Sequence, residues 1–294
     1  MKCKLCGSSR INQIYDGIIR DGGLGRYTEK PVKIWKCDSC DIVWHDSLNN
    51  IQDYYESEEY RTVLEGSSDA ELFYELHDKE TLEKFQYTGT EIFRQKTVAD
   101  VGSGAGAFLD FLKGVAKDIV AIEPSTAYRY VMDKKGYHTY AYAEDAIMEW
   151  RDRINVVTSF DVIEHVDNPE KFLSNIYDLL MAGGQAVIGT PTETPIMRKL
   201  LGEIYEKKLL FSTQHIWMFS EKSLRMLAEN VGFEKIDFKF YQRYGVENLL
   251  GWLRDKEPRS EILGDFITPT LNAVWKSECA AYGMADYIVM YLKK

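Results

Sequence analysis

Three glycines, Gly102, Gly104 and Gly106, follow a short apolar run in "TVADVGSGAGAFLDFL", Thr97 to Leu112. A strand that turns into a helix through residues lacking Cβ atoms lets a ligand lie close to the backbone, beside the helix N-terminus. The neighbours decide which ligand. No lysine follows in the place a P-loop needs, so a nucleoside triphosphate cradle is excluded. Gly102, Gly104 and Ala107 meet the dinucleotide spacing formally, and Glu123 stands about where a ribose-binding acid belongs. A purely structural strand–helix turn would show the same glycines. Asp100 favours a third ligand: a carboxylate two residues before the first glycine attracts an ammonium group and repels a pyrophosphate.

A second cluster is metal-like. Cys3, Cys6, Cys37 and Cys40 form two C-x2-C pairs. Two such knuckles can complete a tetrahedral four-sulfur shell around Zn²⁺, with no open position for catalysis. "QIYDGII" and "VKIWKC" read as the arms of a hairpin between the pairs. Cys279 stands alone and reads as a small buried hydrophobe.

These residues need elements to hold them. Apolar runs predict strands at 97–101, 118–123, 137–142, 154–160, 185–190, 234–241 and 286–292. Helices are expected to start near Ala105, Thr126, Asp145, Pro169 and Glu221, with Asn168 as the N-cap before Pro169 and "AGG" at 182–184 as a helix stop. Alternating strands and helices predict an α/β domain with a parallel sheet. The expected division is a zinc-ribbon module over 1–45, a helical connector over 46–96, and a large domain over 97–294 with an insertion at about 241–280. The net charge of −10 weighs against a nucleic-acid partner, and no apolar run is long enough for a membrane span. The opening "MKCKLCGSSR" lacks the apolar segment of a signal peptide, so a cytoplasmic setting is expected.

The pattern apolar-Asp-apolar-Gly-x-Gly-x-Gly resembles motif I of the class I S-adenosylmethionine (SAM)-dependent methyltransferases. Glu123, with Pro124 after it, resembles their ribose-binding acid. "YAEDA" (142–146), with Glu144 and Asp145, resembles the segment that meets the adenine. "FDVIEHVDNPEKFL" (160–173), with Asp161, Val162 and His165, resembles their motif after the fourth strand. The resemblance implies a Rossmann-like sheet of seven strands, the last antiparallel, with SAM bound and no phosphate in the pocket.

A zinc module ahead of such a domain resembles the sugar C-methyltransferases, which act on nucleotide-linked deoxysugars. In "TQHIWMFSEKSL" (213–224), His215 matches their candidate base. Gln214 replaces their glutamate and Met218 their aromatic, so O-methylation is as open as C-methylation. The resemblance implies a small-molecule acceptor, a nucleotide-sugar or sugar phosphate. His165 is a second candidate base or a loop residue. Tyr60, in "YYESEEYR" (54–61), is a candidate to reach the acceptor. Arg243, Tyr244, Trp252, Arg254 and Arg259 in the insertion could meet phosphate or a sugar, or form a cap on the sheet. An RNA methyltransferase with a nucleic-acid-gripping zinc module, a SAM-binding protein without turnover, and a dehydrogenase are the competing readings.

Overall fold

The computed structural model describes residues 1–46, 69–258 and 267–294. Tyr54, Tyr55, Tyr60 and Arg259 lie outside the described residues. The chain forms two sheets. The first orders β1 (Ile11–Gly17), β2 (Val32–Cys37), β3 (Val43–Trp44) and β9 (Trp217–Met218) side by side. β1 and β2 are the expected arms, paired antiparallel from Ile11↔Cys37 to Gly17↔Val32. The fourth member is unforeseen: β9 pairs with β3 through Val43↔Met218 and Trp44↔Trp217.

The second sheet has seven strands. β4 (Thr97–Val101), β5 (Asp118–Ile122), β6 (His138–Tyr140), β7 (Ile154–Phe160) and β8 (Leu180–Pro191) are joined by β10 (Lys235–Tyr241) and β11 (Tyr287–Lys293). Their order is β10-β11-β8-β7-β4-β5-β6. β4 through β8 pair parallel. Gly183 and Thr192, at opposite ends of β8, donate to the carbonyls of Lys294 and Asp286 respectively, so β11 runs antiparallel. The expected mixed sheet is present. β4 is central and every residue in it is buried, which is why it reads as an unbroken apolar run around Asp100.

Helices α1 (Ala70–His77), α2 (Glu80–Thr88), α3 (Ala107–Leu112), α4 (Thr126–Lys134), α5 (Ala143–Trp150) and α6 (Pro169–Leu179) flank these strands. α6 starts as expected: Asn168 caps it by accepting from the Lys171 N–H at 3.0 Å. Three boundaries differ. α3 begins at Ala107, because Gly106 stands at the N-cap with φ of 87°. α5 begins at Ala143, because Asp145 reaches back to the Tyr142 N–H and caps the helix from inside. The "AGG" stretch is not a helix stop. α6 ends at Leu179, and Gly183, at φ 75°, lies within β8.

The chain divides into two compact units, each discontinuous in sequence. One comprises residues 50–189, 225–237 and 290–294. Its core packs Phe93, Val98, Phe108, Leu109, Ile119, Met132 and Val156 beneath β4 and β5. The other comprises residues 1–49, 190–224 and 238–289. Its core gathers Ile19, Ile34, Val43, Phe211, Met218 and Trp252. Trp252, in the helix Val246–Asp255, is fully buried there and packs on Tyr205 at 5.3 Å, so it is a core residue and no platform for a sugar. No helix among the described residues is long and apolar enough to cross a membrane.

Candidate functional site

In the first of these units, the glycine turn joins β4 to α3. Gly102, Gly104 and Gly106 all have positive φ, of 81°, 55° and 87°, which an L side chain tolerates poorly. The close approaches come from within the chain. A Cβ on Gly102 would lie 2.2 Å from Cγ2 of Val162, and one on Gly104 would lie 2.4 Å from the ring of Phe73. Val162 thus packs on the turn. α1 lays Phe73 over it, and the Tyr74 hydroxyl donates to the Ala105 carbonyl at 2.8 Å. Sequence reading missed Phe73, whose only signal is its place on the buried face of a short helix.

Asp100 ends the buried part of β4, with 2% of its surface exposed. Its Oδ1 accepts a 2.6 Å hydrogen bond from the Thr158 hydroxyl on β7, while its Oδ2 has no partner among the described residues. Burial raises the pKa of this carboxyl. The charge of Lys84 and the Thr158 bond oppose that rise, and Glu123 adds to it. An orphaned, buried carboxylate oxygen is costly unless a donor or cation completes it.

Glu123 follows β5 and is held from two sides. Gly104 N–H donates to its Oε2 at 2.9 Å and Ser125 N–H to its Oε1 at 3.0 Å. Each oxygen keeps a further lone pair, which suits a vicinal diol. Arg129 secures the backbone here by donating from Nη1 to the carbonyls of Glu123 and Pro124. The other segments are placed differently. Asp145 caps its own helix, and Glu144 pairs with Lys171 at 2.9 Å. Asp161 takes the left-handed conformation at φ 56°, a strained turn that aspartate tolerates better than most residues. Its N–H pairs with the Gly189 carbonyl at 3.0 Å. His165 stands in the 3₁₀ turn Ile163–His165, 3.8 Å from the carboxylate of Glu164.

The other unit holds the cysteines and His215. The four Sγ atoms lie within 4.8 Å of one another, with Cys3–Cys40 at 3.6 Å and Cys6–Cys37 at 3.5 Å. Zn–S bonds of about 2.3 Å imply S···S edges of about 3.8 Å in a tetrahedron, so the cluster matches such a shell. Each knuckle also turns an N–H onto its first sulfur: Cys6 N–H onto Cys3, and Ser39 N–H onto Cys37. Burial pushes the Cys37 thiol up, but the N–H groups of Cys40 and Ser39 and the Cys6 thiol outweigh it and bring it down to about 7.

The same unit gives His45 a role that its sequence position did not suggest. It is fully buried, and its Nε2 lies 2.8 Å from the Ser212 carbonyl and 2.9 Å from that of His215. With the β3–β9 pairing, it fixes the turn that carries His215 against the strand after the second cysteine knuckle. Gln214 is buried and His215 half-buried. Ser220 caps the helix Glu221–Val231, accepting from the Ser223 N–H at 3.2 Å. Arg243 stacks on Tyr287 at 4.5 Å, and its N–H donates to the buried Asp286. Arg254 forms a double bond pair with the adjacent Asp255 on the surface.

A family model for the methyltransferase domain matches residues 72–237. The chain belongs to the methyltransferase-domain family. It carries the class I SAM-dependent domain that its glycine turn resembles. The domain is 25% identical over 122 residues to the mitochondrial ubiquinone biosynthesis O-methyltransferase of Rattus norvegicus, covering 38% of this chain and 35% of the relative. It is 25% identical over 160 residues to the ubiquinone biosynthesis O-methyltransferase of Dinoroseobacter shibae, covering 50% and 63%. The matches thus span between about a third and under two thirds of these curated relatives. A SAM-dependent methyltransferase structure from Thermotoga maritima superposes with a TM-score of 0.50 at 21% identity, covering 76% of this chain and 93% of that one. One from Archaeoglobus fulgidus gives 0.51 at 16%, covering 75% and 94%. Both show the fold of this methyltransferase domain.

Proposed function

We propose that the protein is a SAM-dependent methyltransferase that methylates a hydroxyl oxygen of a small polar acceptor. The carrying observation is Asp100, a buried carboxylate with one oxygen unpartnered beside the glycine turn. It fits the ammonium of the donor, and the backbone-anchored Glu123 fits the ribose hydroxyls. The flank of the turn at Gly102, Gly104 and Gly106, with Pro124, Glu144, Asp145, Asp161 and Val162, is the proposed remainder of the donor site. When bound, SAM supplies a methyl group already activated by its sulfonium.

Oxygen as the methylated atom is supported by the names of the curated relatives, both O-methyltransferases. A nucleotide-linked sugar as acceptor is supported by the resemblance of the cysteine pairs and of Thr213–Leu224 alone. The Cys3, Cys6, Cys37 and Cys40 cluster is proposed to hold a structural Zn²⁺, since its geometry suits four thiolates and leaves no open position. The decisive experiment combines titration with S-adenosylhomocysteine (SAH) and a turnover assay offering a catechol and a nucleotide-linked deoxysugar. Binding is expected, with methyl appearing on oxygen. Absence of heat at millimolar SAH overturns the reading, and methyl on carbon overturns the choice of oxygen.

His215 is the proposed base that takes the acceptor's hydroxyl proton. His165 and Tyr60 are proposed to contact the acceptor. His215→Ala is expected to lower turnover about 10²- to 10⁴-fold, the usual weight of a general base, with SAH affinity unchanged. Turnover within threefold of wild type would remove the base assignment.

A further inference from the structure

Lys84 is a cation that neither motif nor comparison assigns. It projects from α2, and its Nζ lies 5.7 Å from the ring centroids of both Phe108 and Phe160. These rings bracket the mouth of the donor site. Phe108 is the second residue of the helix after the glycine turn, and Phe160 ends β7 next to Asp161. The Lys84 charge also acts on Asp100, where it is the main influence favouring the ionised carboxylate. Lys84 forms no ion pair with a carboxylate among the described residues. A buried acid with one free oxygen and an ammonium held between two rings therefore stand at the same strand ends. A ligand bearing one positive and one negative group would complete both.

Resting on the reading of this site as the SAM site, we infer that Asp100 and Lys84 together recognise the amino-acid end of the donor. Asp100 Oδ2 accepts from its α-ammonium, and Lys84 Nζ donates to its α-carboxylate. Aromatic walls exclude water and strengthen such a pair relative to one at the surface. Without the ligand, each charge partly offsets the other. This explains how an acid so deeply buried is tolerated. The pairing would also set selectivity: nucleosides lacking the carboxylate, such as decarboxylated donor or product, would leave Lys84 desolvated and unpaired.

The test uses the full chain, three ligands and two variants, read by calorimetry. The ligands are SAH, its decarboxylated analogue, which keeps the amine, and methylthioadenosine, which lacks both groups. Wild type should prefer SAH to the decarboxylated analogue by about 10- to 100-fold, the range for charge-assisted hydrogen bonds. Lys84→Met keeps the chain length against Phe108 and Phe160. It should lose that same factor for SAH and almost nothing for the analogue, so the preference collapses to near unity. Lys84→Arg should restore most of it. Wild type binding SAH and the analogue equally would overturn the assignment, and needs no variant. A Lys84→Met protein that weakens both ligands equally would reduce Lys84 to a packing residue. Failure of wild type to bind any of the three would overturn the donor-site reading itself, and this assignment with it.

Discussion

Asp100→Asn is expected to weaken SAH binding about 100-fold and, at neutral pH, to raise the melting temperature of the ligand-free protein. Both effects come from one oxygen. Oδ2 is buried and unpartnered, so the folded chain holds a charge that burial disfavours, and its pKa lies above the ordinary carboxylate range. A native pKa above the unfolded one means that the folded state binds more protons between the two values. Stability is therefore lost as pH rises through that window, and at neutral pH the full cost is present. Asparagine keeps an acceptor for Thr158 and removes the charge. Each kcal/mol recovered corresponds to about 2–4 °C in a chain of this size. With saturating SAH the order should invert, because only the wild-type carboxylate pairs with the ligand ammonium and binding stabilises by mass action. Melting curves from pH 4 to 8, with and without SAH, read both effects. A variant that is less stable than wild type when ligand-free at pH 7, or that binds SAH equally, contradicts the role given to Asp100.

The second large effect concerns the cysteine cluster. Purified protein is expected to carry one zinc per chain, and Cys37→Ser to lose it together with the ordered turn at His215. Structural zinc in small modules is bound with apparent free energies of about 10–16 kcal/mol, which is then folding free energy for the segment that wraps it. The damage has a defined route. Cys37 ends β2, and its N–H bonds to the Ile42 carbonyl just before β3. β3 pairs with β9, and His45 holds the carbonyls of Ser212 and His215. Metal analysis, near-ultraviolet dichroism from Trp35, Trp44 and Trp217, and proteolysis at 206–218 should change together. SAH affinity should stay within a few-fold, because Asp100, the glycine turn and Glu123 belong to the other unit. Full metal loss with an unchanged tryptophan signal would show that the cluster does not support the turn.

Much of the donor site is legible in the chain because it is made of local geometry. Positive φ at Gly102, Gly104 and Gly106 is a requirement of one tight turn, and it shows as glycine whatever lies around it. Asn168 and Pro169 start α6 through contacts within a single turn. The two C-x2-C knuckles likewise declare themselves, since each needs only four consecutive residues. Strand parity and buried runs were enough to order the elements from β4 to β8. Boundaries failed where a distant partner intervened, as at Gly183, which Lys294 draws into the sheet.

What the sequence determined by itself, then, is the set of groups whose conformation depends on their immediate neighbours: the glycine turn, the helix caps, the cysteine knuckles and the central strands. Only the tertiary structure decided which distant groups meet them. It placed Phe73 over Gly104, Thr158 beneath Asp100, the ammonium of Lys84 between two rings, and β9 beside β3. The reason is energetic. A turn or cap is stabilised within a few residues and leaves a fixed pattern of residue types. A long-range contact is chosen by burial and packing, which accept many side chains at either end and so leave no spacing to read.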